Sequence, residues 1–157
     1  MREIGLRAID SLCEQADDTP QGGINSADAA PGDRLRVLVV DDEQEFVATL
    51  VKRLRRRGMV CVTAFTGAEA IEIVRDETFD VVLLDMKLPD IDGNEVLREV
   101  KKLKPETQVV ILTGHISARD GMEGIGDGAN DYLMKPVEFE SLLESLHRAS
   151  RSRRILE

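Results

Sequence analysis

The chain reads as an α/β protein: a doubly wound, five-stranded parallel sheet with helices on both faces. Three observations predict this. From residue 35 onward, short apolar runs alternate strictly with stretches of helical period. The strand candidates are apolar at consecutive positions, as expected of strands covered on both faces. Right-handed crossovers between successive parallel strands then place helices on both sides.

The elements follow in order. "RLRVLVV" (34–40) is the first strand, a near-continuous apolar run. "EFVATLVKRLRRRG" (45–58) is a helix with Phe46, Leu50, Val51 and Leu54 on one face and Gly58 as its stop. "MVCVTAF" (59–65) is the second strand, and "GAEAIEIVRDE" (67–77) a helix with Ala70, Ile71 and Val74 inward. "DVVLLD" (80–85) is the third strand. The helix "GNEVLREVKKLKP" (93–105) follows, packing through Val96, Leu97, Val100 and Leu103 and ending near Pro105. "QVVILT" (108–113) is the fourth strand, and position in the alternation predicts a helix over 117–128. Its glycines, Gly121, Gly124, Gly126 and Gly128, predict a marginal helix or one that ends early. "NDYLMK" (130–135) is the fifth strand. The last helix, 138–154, buries Phe139, Leu142, Leu143 and Leu146.

Residues 1–34 differ in character. Ile4, Ile9, Leu12, Cys13 and Ala16 fit one stripe of a short helix, and "TPQGGINSADAAPGD" reads as a linker. The expected organisation is a flexible extension over 1–34, a folded domain over 35–150 and a tail over 151–157. A docking or dimerising helix is the alternative for the extension. A chain of 157 residues, 42% apolar and 32% charged, suits one soluble domain. Its net charge of -9 argues against bulk electrostatic binding to nucleic acid or anionic lipid. No apolar run approaches the roughly 20 residues that span a bilayer, and the N-terminus lacks a signal-peptide pattern. Cys13 and Cys61 lack metal-ligand spacing and read as reduced thiols of a cytoplasmic protein.

In such a sheet, ligands sit at the carboxyl ends of the strands. Strand one ends in Asp41, Asp42 and Glu43, strand three in Asp85, strand four in Thr113 and strand five in Lys135. Crowded carboxylates repel, so they recruit a cation, and hard oxygen donors suit Mg²⁺. Lys135 then offers a fixed positive charge and Thr113 a hydroxyl to phosphoryl oxygens, with Asp85 as nucleophile. Each residue alone has a plainer reading: strand-end aspartates often cap helices, and Lys-Pro often makes a turn. The joint pattern at one rim points to phosphoryl transfer.

The segments "VLVVDDE" (37–43), "DVVLLDMKLPDIDG" (80–93), "VVILTG" (109–114) and "NDYLMKP" (130–136) resemble, in this order and spacing, a response-regulator receiver domain of two-component signalling. The resemblance covers about residues 34–150. It implies a flavodoxin-like strand order 2-1-3-4-5 and a bacterial phosphorelay role. It implies that Asp85 is the phosphoacceptor, and that Asp41, Asp42, Asp85 and the Lys87 backbone carbonyl hold Mg²⁺. Thr113 and Tyr132 would be the switch pair, Lys135 the phosphate-binding lysine, Lys135-Pro136 a cis bond, and Gly93 the glycine of the tight acceptor loop. Lys87, His115 and Glu43 stand at the mouth, placed to tune the lifetime of the phosphorylated state, with an exposed loop histidine as the plainer reading of His115. The implied partners are a sensor histidine kinase or histidine phosphotransfer protein and an unidentified downstream protein, with a phosphorylation-dependent homodimer as a further option. Neither nucleic acid nor membrane is expected as a partner. The only catalysis expected is of the protein's own phosphorylation and dephosphorylation.

Rival readings fit less well. A haloacid-dehalogenase-type phosphatase would carry a second Asp at the position of Lys87. A flavin-binding flavodoxin would need a phosphate-cradling loop where "DDEQE" stands. A phosphate-independent adaptor would not need the full acidic, Thr and Lys set. The basic run "KRLRRRG" (52–58) suits a helix C-terminus and also a partner contact. Few residues follow the last helix, so the expected output is protein contact, by a free-standing receiver or a receiver segment of a larger protein.

Overall fold

The computed structural model describes residues 34–114 and 126–156. Within them run β1 (Arg36–Val40), α1 (Gln44–Arg56), β2 (Val60–Ala64), α2 (Gly67–Asp76), β3 (Val81–Leu84), α3 (Gly93–Leu103), β4 (Gln108–Thr113), β5 (Asp131–Met134) and α4 (Phe139–Leu156). The sheet order is β2-β1-β3-β4-β5, and every pairing is parallel. That is the expected order 2-1-3-4-5. The expected extension up to residue 33, most of the helix expected over 117–128, and His115 lie outside the described residues.

Alternation along each strand divides the core in two. Val37, Val39, Val81, Leu83, Val110 and Leu112 face α1 and α4. Leu38, Val40, Val82, Leu84, Val109 and Ile111 face α2 and α3. Burying a side chain of this size contributes about 1.5–3 kcal/mol. A strand flanked by helices on both sides therefore gains from apolar residues at every position, which is why the runs are continuous.

The helices obey the same logic with small corrections. On α1 the buried stripe is Val47, Leu50, Val51 and Leu54, at i, i+3, i+4 and i+7. Phe46, expected inward, is only partly buried and belongs to the rim described below. On α2 the buried stripe is Gly67, Ala70, Ile73 and Val74, while Ile71 is partly buried. Leu103 is likewise partly buried, at the end of α3. Gly58 terminates α1 with a φ of 87°, its N–H donating to the Arg55 carbonyl at 2.9 Å.

The basic end of α1 is largely used within the fold. The Arg53 guanidinium lies 4.0 Å and that of Arg57 5.3 Å from the centroid of the Phe139 ring, and Arg57 pairs with Glu140 at 2.7 Å. Arg55 donates to the Cys61 carbonyl of edge strand β2 at 2.9 Å. Helix α4 continues to Leu156, beyond the expected end at 154. Among the described residues, no helix is long and apolar enough to cross a membrane.

Candidate functional site

Register brings the acids together. Val40 pairs with Leu84 across β1 and β3, so the next residues, Asp41 and Asp85, leave the sheet side by side. The Asp85 N–H donates to the Val40 carbonyl at 2.9 Å, and the Asp41 N–H to the Ala64 carbonyl at 3.1 Å. These backbone bonds hold both carboxylates at the rim although each is nearly buried, with 2% and 6% exposure for Asp41 and Asp85. On the other side, Thr113 pairs with Met134, and the Lys135 N–H donates to the Thr113 carbonyl at 2.9 Å. That contact carries Lys135 over the same rim. The Lys135-Pro136 peptide bond is cis.

The Lys135 ammonium is the centre of the cluster. Its Nζ lies 2.7 Å from Asp41 Oδ2, 2.6 Å from Glu43 Oε1 and 3.5 Å from Asp85 Oδ2. The Phe46 ring centroid is 4.5 Å from the same nitrogen, within cation–π range. Burial alone would lower the lysine's pKa. Hydrogen bonds to Asp41 and Glu43, and the charges of Asp41 and Asp85, overcome that and raise it. Burial pushes the Asp41 carboxyl above its usual range; bonds from Lys135 and the Glu43 N–H oppose this, while the Asp85 charge adds to it. Lys135 is thus held charged among acids that need a cation.

The loop after Asp85 is built from backbone. The Lys87 N–H donates to Asp85 Oδ1 at 3.2 Å, and the Gly93 N–H to the Met86 carbonyl at 3.1 Å. A Cβ on Gly93 would stand 2.5 Å from Met86 Cα, so only glycine closes this loop. Asp92 caps α3 by accepting from the Asn94 N–H at 2.9 Å. Thr113 is fully buried at the end of β4, and Tyr132 is partly buried against the α2/α3 side of the core.

The acids fit a hard divalent cation. Asp41, Asp42 and Asp85 each offer an oxygen, all within 4.8 Å of one another. Three hard carboxylate oxygens gathered at one place are a donor set suited to Mg²⁺. Of the residues singled out in the sequence, Asp41, Asp42, Glu43, Asp85, Lys87, Thr113 and Lys135 converge on this rim. Tyr132 lies one strand position before Leu133 on β5, and Gly93 lies at the foot of the loop. Phe46 was missed, because an aromatic at helical spacing reads as core. Its adjacency to the acidic turn "DDEQE" was the available signal.

A sequence profile for the response regulator receiver domain matches residues 37–147. The transcriptional regulatory protein ZraR of Escherichia coli (strain K12) is 38% identical over 117 residues, covering 74% of this chain and 26% of that protein. The chain therefore spans about a quarter of that relative. A CheY-like receiver domain protein from Methanospirillum hungatei JF-1 superimposes with a TM-score of 0.77 at 30% identity, over 79% of this chain and 99% of that one. A Burkholderia pseudomallei response regulator, solved with a phosphorylated aspartic acid, calcium ion and citrate, gives a TM-score of 0.69 at 31% identity, over 76% of this chain and 71% of that one.

Proposed function

The chain belongs to the response regulator receiver domain family, and from that membership we propose that Asp85 is its phosphoacceptor and that phosphorylation resets a protein-binding surface. The observation that carries this reading is the setting of Asp85. A nearly buried carboxylate sits with Lys135 Nζ 3.5 Å from one oxygen and the Lys87 N–H 3.2 Å from the other, beside two further aspartates. The phosphorylated aspartic acid of the Burkholderia pseudomallei relative supports it.

The donor is a phosphohistidine on a sensor kinase or phosphotransfer protein. An Asp85 oxygen attacks phosphorus, the P–N bond breaks, and the imidazole leaves with the bonding electrons; the product is an acyl phosphate. Lys135 offsets the charge on one phosphoryl oxygen, and the Lys87 N–H is aimed at the same region. Mg²⁺ held by Asp41, Asp42, Asp85 and the Lys87 carbonyl supplies charge neutralisation when bound. The new group adds about -1.5 to -2 charges and three acceptors. The Thr113 hydroxyl and Lys135 are drawn toward it, and the Tyr132 ring turns into the space beside them. Glu43 and Lys87 tune how long the state lasts.

ZraR is named as a transcriptional regulator, and this chain matches about a quarter of its length. What we carry over is the switch; its output here is protein contact, favoured by a net charge of -9. Treating the protein with acetyl phosphate and Mg²⁺ should add one phosphoryl mass, mapped to Asp85. Asp85→Asn should take up none, and EDTA should abolish uptake. Equal labelling of the variant, or labelling indifferent to EDTA, would overturn the reading.

A further inference from the structure

The start of α2 has an unusual cap. Thr66 Oγ1 accepts from the Glu69 N–H at 3.1 Å, and the Thr66 carbonyl from the Ala70 N–H at 3.1 Å. Glu69 reaches back to the Phe65 N–H at 2.9 Å. Two helix-start amides remain, those of Gly67 and Ala68. Both are taken by Asp90, 23 and 22 residues away in the chain, whose Oδ1 and Oδ2 accept them at 2.8 and 2.9 Å. Beside this contact Ile91 packs directly on Gly67: a Cβ there would stand 2.4 Å from Ile91 Cγ1 and 2.9 Å from Val96 Cγ2. Asp90 and Ile91 belong to the loop that follows Asp85. Only Lys87, Leu88 and Pro89 lie between this anchor and Met86, whose carbonyl accepts from Gly93.

We propose that Asp90 is a positioning residue of the acceptor site, fixing the Lys87–Pro89 backbone against Asp85 by clamping both amides at the start of α2. The proposal rests on the reading of Asp85 as phosphoacceptor. A carboxylate on two amides at a helix N-terminus is a charge-assisted, two-point contact favoured by the helix dipole. It removes both translation and rotation from the loop, which a single bond would not. Burial is the largest single influence and opposes the ionised form of Asp90, but the amides of Ala68, Gly67, Ile91 and Asp90 itself together overcome it and hold the carboxyl below its usual range. The Lys87 N–H and carbonyl are thus set by a side chain three residues onward that bonds the amides of α2 rather than Asp85.

The competing account is that Asp90 merely caps a helix. Thr66 separates the two, since its cap hydrogen bonds go to α2 and not to the loop. Asp90→Ala, Asp90→Asn and Thr66→Ala would be compared with the parent by thermal unfolding, by the amide NMR shift of Lys87 without metal, and by Mg²⁺ titration. Asp90→Ala should move the Lys87 amide and weaken Mg²⁺ binding roughly tenfold, the scale seen when a supporting residue of a metal site is lost. Asp90→Asn, which keeps one acceptor oxygen, should fall between. Thr66→Ala should lose thermal stability while keeping the parent's Lys87 shift and Mg²⁺ affinity. Equal loss of Mg²⁺ affinity in Asp90→Ala and Thr66→Ala, or an unmoved Lys87 amide in Asp90→Ala, would overturn the proposal. Failure of the parent to take label at Asp85 would overturn the acceptor reading instead, and the shift and titration results would still decide on Asp90.

Discussion

Replacing Lys135 by Met removes the ammonium but keeps an unbranched stem beside Phe46. Asp41 and Asp85, both nearly buried, then face each other without their cation. The cost has a ceiling. If one carboxyl protonates to escape repulsion, the penalty at pH 7 is that of protonating a group with an ordinary value of 3.8, about 3 pH units at about 1.4 kcal/mol each, or about 4 kcal/mol. The rim is open to water, and the pair with exposed Glu43 contributes at most about 1 kcal/mol. The expected loss is therefore about 2–4 kcal/mol, in line with removing one partner of a buried pair. Urea unfolding in EDTA measures it. In the variant the folded-state carboxyl pKa is raised further, so the penalty is full at neutral pH and fades as pH falls toward 4. The parent's gain from Lys135, whose own pKa is raised, is complete below 10.5 and is lost as pH rises above that. Mg²⁺ should restore most of the variant's lost stability, because it supplies the missing charge. A variant within about 0.5 kcal/mol of the parent at pH 7, or a deficit unchanged by both acid and Mg²⁺, would refute the assignment of Lys135 as the neutralising cation.

Other substitutions probe the frame. Leu38→Ala, at a fully buried position in β1, should cost about 2–5 kcal/mol, read as a lower urea midpoint with an unchanged slope. Gly93→Ala sets a Cβ against Met86 backbone, and should cost at least about 1–3 kcal/mol and slow labelling of Asp85 by acetyl phosphate. Gly126→Ala, with open space around its Cβ and no left-handed φ, should instead raise the melting temperature, through about 0.4–1 kcal/mol gained by restricting the unfolded chain. Asp131 is pushed up by burial but held below the usual carboxylate range by Ser145, the Tyr132 N–H and Arg148. Its contribution is present above its ordinary value near 3.8 and lost as pH falls through the depressed one. The stability gap between the parent and Asp131→Asn should therefore close in acid.

The strand–helix alternation, the sheet's parallel character and the acidic rim were legible because they are written in local patterns. Continuous apolar runs imply two covered faces, and an acid directly after such a run marks a strand end. The inward faces of helices were less so: Phe46 and Val47 differ by 100° of rotation, and either suits an apolar stripe. The destination of the basic run 52–58 was also hidden, since charge spacing does not reveal Phe139 and Glu140 on a helix more than eighty residues away.

The sequence by itself determined which chemistry this rim can hold: carboxylates, a hydroxyl and one ammonium at strand ends. Tertiary structure alone decided how these groups share charge. Lys135 sits closer to Asp41 and Glu43 than to Asp85, and Asp90 ties the loop after Asp85 to a helix that precedes it. Both contacts join residues 22 to 94 positions apart. They depend on strand register and loop closure, which are set by the packing of the whole sheet and leave no periodic trace in the chain.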